Sequence, residues 1–271
     1  PSRRPLVHLL NAGANPHTGW ARMSVEHARA LAAEGVASLR YDFTGVGDSA
    51  WTPEGARPLI YSDRHVADGI AAVEAMSRRG YERHVLAGLC AGGYVAFHAA
   101  ARDPRIAGAI VANALRLVWH PGDALDALER EMLQPTAVYT EKAFSAAQWR
   151  RILRGEISPA RILRVAAAFA GKGLASLAGA LGHKPAVDAD AAFIRETLLK
   201  ISGRGARVAF LHAERDLSRD ESDRHFGPAG DFARRQPGVT FTDIPGSDHE
   251  LTPRGARDAF LDAIRSVALG K

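Results

Sequence analysis

A single cysteine, Cys90, occurs among the 271 residues, so no disulfide can form within the chain and nothing calls for an oxidising compartment. Lysine is almost as scarce. Lys142, Lys172, Lys184, Lys200 and Lys271 are the only ones, and the excess of 35 basic over 30 acidic residues, a net charge of +5, is carried by scattered arginines. No block of five or six like charges occurs, and no basic run is interleaved with aromatics that could stack on bases, which argues against a nucleic-acid partner. The basicity reads as a solvated surface whose overall field still favours anionic substrates or acidic carriers. Long apolar runs are missing too: the most apolar span, Val165 to Leu181, is broken by Gly171, Lys172 and Gly173 and cannot cross a bilayer. Pro1-Ser2-Arg3-Arg4-Pro5 leads straight into strand-like residues without a signal peptide, so a cytoplasmic protein is expected. The missing initiator Met points to a trimmed chain or a piece of a longer one.

What is present is ordinary for an enzyme, with 46% hydrophobic and 24% charged residues, and the length allows one large α/β domain or two small ones. The chain is organised around His84 to Tyr94. An apolar run (Val85, Leu86, Ala87) predicts a buried strand. Gly88-Leu89-Cys90-Ala91-Gly92 follows at once, and then a helix-like segment through Ala101. Strand, glycine turn and helix have the form of a nucleophile elbow, Gly-x-Nuc-x-Gly, with sulfur in place of the usual hydroxyl. The residues two before and two after the nucleophile must be nearly without side chain to clear strand and helix. The free N–H groups of the helix start favour a thiolate and later an oxyanion. A lone cysteine is more often one small buried hydrophobe among others, so the context decides.

Strands are predicted at Leu6–Leu10, Val36–Tyr41, the elbow strand, Ile106–Asn113, Arg207–His212 and Val239–Ile244. Helices are predicted at Trp20–Glu34 with Gly35 past its end, from a Ser62 or Asp63 cap to Arg79, after the elbow, and from a Thr252 N-cap with Pro253 at the first position to Leu269. This alternation predicts βαβ units and a mostly parallel sheet flanked by helices. It stops from Leu115 to Gly205, where only helical patterns occur, among them Ala189–Ile201. The expectation is a core of residues 1–114 and 206–271 with a helical cap, or lid, of residues 115–205 inserted before the last two strands. Ala166, Ala167, Ala170, Leu174 and Leu177 are expected either to give that cap an apolar inner face that takes an acyl chain or to pack against the sheet. A polar loop is expected from Ala213 through Asp220.

A cysteine nucleophile needs a base and a group that orients the base. His249 is the one histidine after the last predicted strand, and Asp216 follows the strand before it, in the order nucleophile, acid, histidine. Glu214, Asp220 and Glu221 compete for the acid, and Asp248 is expected to point away from its neighbour. The N–H of Ala91 is the expected oxyanion donor, with a second from Gly13, or from Ala14 if the register slips, in the loop where Asn11 stands. The other ten histidines lack partners at metal-ligand spacing, so neither a metal nor a cofactor is expected.

With Arg40-Tyr41-Asp42-Phe43-Thr44-Gly45-Val46-Gly47-Asp48-Ser49 added to the elbow, the chain resembles an α/β-hydrolase from end to end. The elbow is similar to that of dienelactone hydrolases, which also use Cys-Asp-His. The whole length resembles hydrolases associated with exosortase and exopolysaccharide systems, through the Asn-x-Gly loop, the Arg-x-Asp-x-x-Gly-x-Gly-Asp-Ser run and the Gly-Leu-Cys elbow. The resemblance implies acyl chemistry through a thioester acyl-enzyme. Hydrolysis of an ester, thioester or lactone is the first reading, with the substrate a small acyl molecule, free or carried on CoA or an acyl-carrier protein. An acyltransferase, or a chain-releasing or cyclising thioesterase, is the second. A non-catalytic binding protein on the same fold is the third.

Overall fold

The computed structural model describes residues 4–50, 60–120, 123, 188–214 and 216–270. Six strands form one sheet: β1 (Leu6–Leu9), β2 (Ser38–Arg40), β3 (His84–Leu89), β4 (Ile106–Ala112), β5 (Arg207–Ala213) and β6 (Val239–Ile244). Their order is β2-β1-β3-β4-β5-β6 and every pairing is parallel. The helices α1 (Met23–Ala33), α2 (Asp63–Ser77), α3 (Ala91–Arg102), α4 (Ala189–Ser202), α5 (Leu217–Phe226), α6 (Asp231–Arg234) and α7 (Arg254–Leu269) complete the described elements, with short 3-10 turns at Trp20–Arg22 and Pro228–Gly230.

The central strands are apolar on both faces because helices cover both. Every residue of β3 is buried. On one face Val7, Leu9, Val85, Ala87, Leu89, Ile110 and Ala112 pack with Met23 and Leu31 of α1 and with Phe260, Leu261 and Ile264 of α7. Residues in between point the other way, since side chains alternate along a strand. There Phe210 of β5 meets Phe97 of α3, Phe226 of α5 and Phe241 of β6, at ring-centroid distances of 6.0, 5.3 and 4.7 Å.

All six predicted strands are present, the second cut to Ser38–Arg40. The helix predicted from Trp20 starts with a 3-10 turn before α1, and Gly35 takes the left-handed φ of +72° past its end. Ser62 caps α2 by accepting the His65 N–H at 3.2 Å. Two expectations need correction. Pro253, not Thr252, is the N-cap of α7, because its ψ of 143° is extended rather than helical. The polar loop read through Asp220 is instead α5, opened by Asp216, whose side chain accepts from the Ser218 N–H at 2.9 Å.

The chain divides into two compact units, one of residues 1–125 with 190–271 and one of 126–189. The second unit falls almost wholly outside the described residues, as do the proposed inner-face positions Ala166, Ala167, Ala170, Leu174 and Leu177 of the expected cap. Helix α4, read as part of that cap, belongs to the unit that carries the sheet. Its Ile194, Leu198 and Ile201 are fully buried. No helix among the described residues is long and apolar enough to cross a membrane.

Candidate active site

The strands of this parallel sheet deliver loops to one edge, and the C-terminal ends of such strands are where open α/β sheets bind ligands. Cys90 follows β3 and is the N-cap of α3, with φ 54° and ψ −120°. An L-residue pays on the order of 1–3 kcal/mol for such a conformation, so it persists only where the surroundings impose it. Here they do. The Cys90 N–H donates to the Ala112 carbonyl at 2.8 Å, and the Cys90 carbonyl accepts from Gly93 at 3.0 Å.

The elbow glycines are required by packing. A Cβ on Gly88 would overlap the carbonyl carbon and oxygen of Gly92, and one on Gly92 would lie 2.5 Å from the Asn11 carbonyl oxygen. Both obstacles are backbone and cannot turn aside. Gly88→Ala is therefore expected to cost about 3 kcal/mol. That is a fall in Tm of roughly 6–12 °C, read by thermal unfolding. A change under about 2 °C would show that strand and helix separate cheaply.

Asp216 and His249 come together from loops after β5 and β6. His249 Nδ1 donates to Asp216 Oδ2 at 2.8 Å, since a carboxylate can only accept. The thiol of Cys90 is the other group that acts on the His249 ring. Burial works against the imidazolium, but the hydrogen bond to Asp216 and the influence of Cys90 outweigh it and raise the imidazole to about 10. Burial likewise works against the Asp216 carboxylate, and the His249 and Ser218 donors overcome it and hold the acid below its ordinary value. Asp216 thus divides its two oxygens, Oδ1 capping α5 through Ser218 and Oδ2 facing His249.

Two competing acids are engaged elsewhere. Glu214 Oε2 accepts from the Gly246 N–H at 2.7 Å. Glu221 is buried and accepts from the Leu117 N–H at 2.8 Å and from His225 at 3.0 Å. Asp248 accepts from the Thr252 N–H at 2.6 Å, turning the loop after its neighbour.

Residues 3–149, more than half of the chain, match the model of the α/β-hydrolase family described as serine aminopeptidase, S33. The chain belongs to this family. No curated protein matches it. Among solved structures it is similar to a dienelactone hydrolase from Anabaena variabilis, with 12% identity, coverage of 98% of this chain and 86% of that one, and a TM-score of 0.57. It is similar to an α/β hydrolase from a Penicillium species at 18% identity, with 99% and 92% of the two chains covered and a TM-score of 0.57. A proline iminopeptidase-related protein from Thermus thermophilus matches at 19% identity over 100% and 92%, with a TM-score of 0.51. These likenesses show the fold.

In this α/β hydrolase Ala91 is the first residue of α3, so its N–H has no acceptor within the helix. Gly13, at φ +56°, has an N–H that no hydrogen bond among the described residues occupies, and no hydrogen bond joins it to the elbow. Its loop touches the elbow helix through Asn11. Asn11 Oδ1 accepts from the Phe43 N–H at 2.9 Å, and Nδ2 donates to Asp42 Oδ1 at 3.0 Å and to the Asn15 carbonyl at 2.8 Å. Asn11 therefore ties the loop after β1 to the glycine loop after β2 and presses it on Gly92.

Asp42 also draws His17 and Asp48 close enough for three ligand atoms to share a cation. Its carboxylate is already met by His17 Nδ1 at 2.8 Å, the His17 N–H at 2.5 Å and the Asp48 N–H at 3.2 Å. Those donors take the lone pairs a metal would need, so the trio pins the loop.

Two residues of the site have no mark in the sequence. The Tyr61 hydroxyl lies 3.3 Å from Cys90 Sγ. Asn113, at φ 45° after β4, accepts from the Ala213 N–H at 2.8 Å and donates to the His249 carbonyl at 2.8 Å. It thereby fastens the histidine loop to the strand that carries the acid.

Proposed function

We propose that the chain is an acyl hydrolase acting through a cysteine nucleophile and a thioester acyl-enzyme. The observation that carries the reading is the left-handed elbow residue Cys90 beside a histidine that is locked to Asp216 at 2.8 Å. The family name refers to serine, but sulfur stands at the elbow here. A raised imidazole next to a thiol supports His249 as the group that takes the Cys90 proton and holds it on the ring while the sulfur attacks.

The thiolate attacks the acyl carbon, a carbon–sulfur bond forms, and the carbonyl π pair moves onto oxygen. The oxyanion is received by the N–H groups of Ala91 and Gly13. As the intermediate collapses, His249 gives its proton to the departing alkoxide or thiolate, leaving a thioester on Cys90. His249, now neutral, takes a proton from water, whose oxygen attacks the thioester. The second intermediate expels the sulfur and restores Cys90 and His249. Asp216 keeps Nδ1 protonated and faces the charge that appears on the ring.

Esters, thioesters and lactones share the acyl carbon and the good leaving group this sequence of steps requires. The structural neighbour named as a dienelactone hydrolase supports the lactone among them. The test is incubation with a panel of p-nitrophenyl esters, acyl thioesters and lactones, with and without a primary amine, followed by mass spectrometry. Free acid as the product, with the acyl mass trapped on Cys90, is the expected result. Amide as the main product would replace hydrolysis by acyl transfer. Turnover with the acyl mass on any other residue would overturn the mechanism.

A further inference from the structure

We infer that the Tyr61 hydroxyl is a third hydrogen-bond donor of the reacting centre, one that holds the Cys90 sulfur in the resting enzyme and passes to the acyl oxygen as negative charge develops there. The inference rests on the reading of Cys90 as the nucleophile.

The position of this hydroxyl is imposed. Tyr61 is fully buried and stands immediately before the N-cap of α2, at φ 59°. That left-handed backbone costs on the order of 1–3 kcal/mol for a residue with a side chain. The ring is clamped on two sides, stacked on Trp119 with centroids 5.3 Å apart and 20° between planes, and edge-on to Tyr94 at 5.6 Å and 90°. Strain in the backbone and contacts on both sides leave the hydroxyl one place, 3.3 Å from Sγ.

The direction of the bond follows from the state of the sulfur. A thiolate has no proton to give, so the phenolic O–H is the donor once Cys90 is ready to attack. Burial, and then the negative charge and hydrogen bond at Cys90, push the phenol well above its ordinary value, so it serves as a donor and not as a base.

A donor placed this way favours the transition state over the ground state. Once sulfur is bonded to the acyl carbon, its charge is gone and it accepts a hydrogen bond only weakly. The oxygen of the tetrahedral intermediate carries that charge one bond away from the carbon. The O–H group can follow it without giving up its proton, so no atom changes owner in the step. Such a contact strengthens as the reaction proceeds, which is the condition for it to accelerate acylation.

The experiment follows acylation by p-nitrophenyl acetate, reading the first equivalent of p-nitrophenolate released and the mass of the acetyl-enzyme. In Tyr61→Phe the acylation rate is expected to fall about 100-fold, the scale of losing one oxyanion donor. KM is expected to stay within about threefold, because the hydroxyl contributes little to binding the uncharged ester. Replacing Tyr61 by 4-fluorophenylalanine refills the volume of the hydroxyl without a proton and should be as slow. 4-Aminophenylalanine restores a donor and should recover much of the rate. If Tyr61→Phe does not fold, the two analogues give the same comparison. An acylation rate within threefold of wild type in the folded Phe or 4-fluorophenylalanine variant, with the acetyl group still on Cys90, overturns the role of Tyr61 alone. No burst in the wild type, or a burst that survives Cys90→Ala, overturns the nucleophile and this inference together.

Discussion

Replacement of Cys90 by alanine is expected to lower kcat/KM by about six orders of magnitude, the scale on which removal of a triad nucleophile acts, with a residue of activity from the oxyanion donors and substrate binding. The variant isolates chemistry from folding for a reason visible in the backbone. The strain of the elbow turn at φ 54° and ψ −120° acts through the Cβ, which alanine shares with cysteine, so the turn does not need the thiol to form. Gly88, Gly92 and the Cys90 N–H to Ala112 hydrogen bond are untouched by the change. Thermal unfolding should move by no more than about 3 °C, a fraction of what a core deletion would do. The acyl mass seen on wild type should disappear at the same time. Retained turnover in a variant with an unchanged Tm would remove sulfur from the mechanism and leave only the α/β-hydrolase fold.

The elbow was legible because its demands are local. Val85, Leu86 and Ala87 mark a strand covered on both faces, and the glycines at 88 and 92 stand where strand and helix backbones nearly touch. The alternation of apolar runs with helix-length segments likewise carried the parallel sheet, with Gly35 and Gly80 closing the helical segments that lead into β2 and β3. The order nucleophile, acid, histidine then led to Asp216 and His249 without any knowledge of distance. Helix α5 was not legible. Leu-Ser-Arg-Asp-Glu-Ser-Asp-Arg-His-Phe is polar nearly all round, so no helical period stands out, and the helix depends on the Asp216 cap and on burial of Phe226 against Phe210. Tyr61 and Asn113 were hidden for a different reason. Each works on a residue far along the chain, Cys90 in one case and His249, 136 positions away, in the other. Only the assembled sheet brings such groups to one edge.

Asp216→Asn is expected to lower kcat/KM by about 10³–10⁴-fold, because an amide that turns its nitrogen toward His249 stabilises the wrong tautomer and offers no charge to the imidazolium. The substitution separates the two duties of this side chain. Asparagine caps helices as well as aspartate does, so Oδ1 can still receive the Ser218 N–H and α5 keeps its start. What is lost is the anionic Oδ2 at 2.8 Å from Nδ1. The pH dependence gives a second, independent reading. The imidazole of His249, raised to about 10 from its ordinary 6.5, contributes stability that is complete below the ordinary value and is lost as pH rises through the raised one. The carboxyl of Asp216, held below its ordinary value, contributes stability that is present above that value and is lost as pH falls through its lowered one. Both are in place at neutral pH. In the Asn variant the foremost cause that raises the imidazole is gone, so the alkaline limb of kcat/KM should move from near 10 toward 6.5. The loss of stability between those two pH values should shrink with it. An alkaline limb that stays in place while activity falls would assign Asp216 to the α5 cap alone and send the search for the orienting group elsewhere.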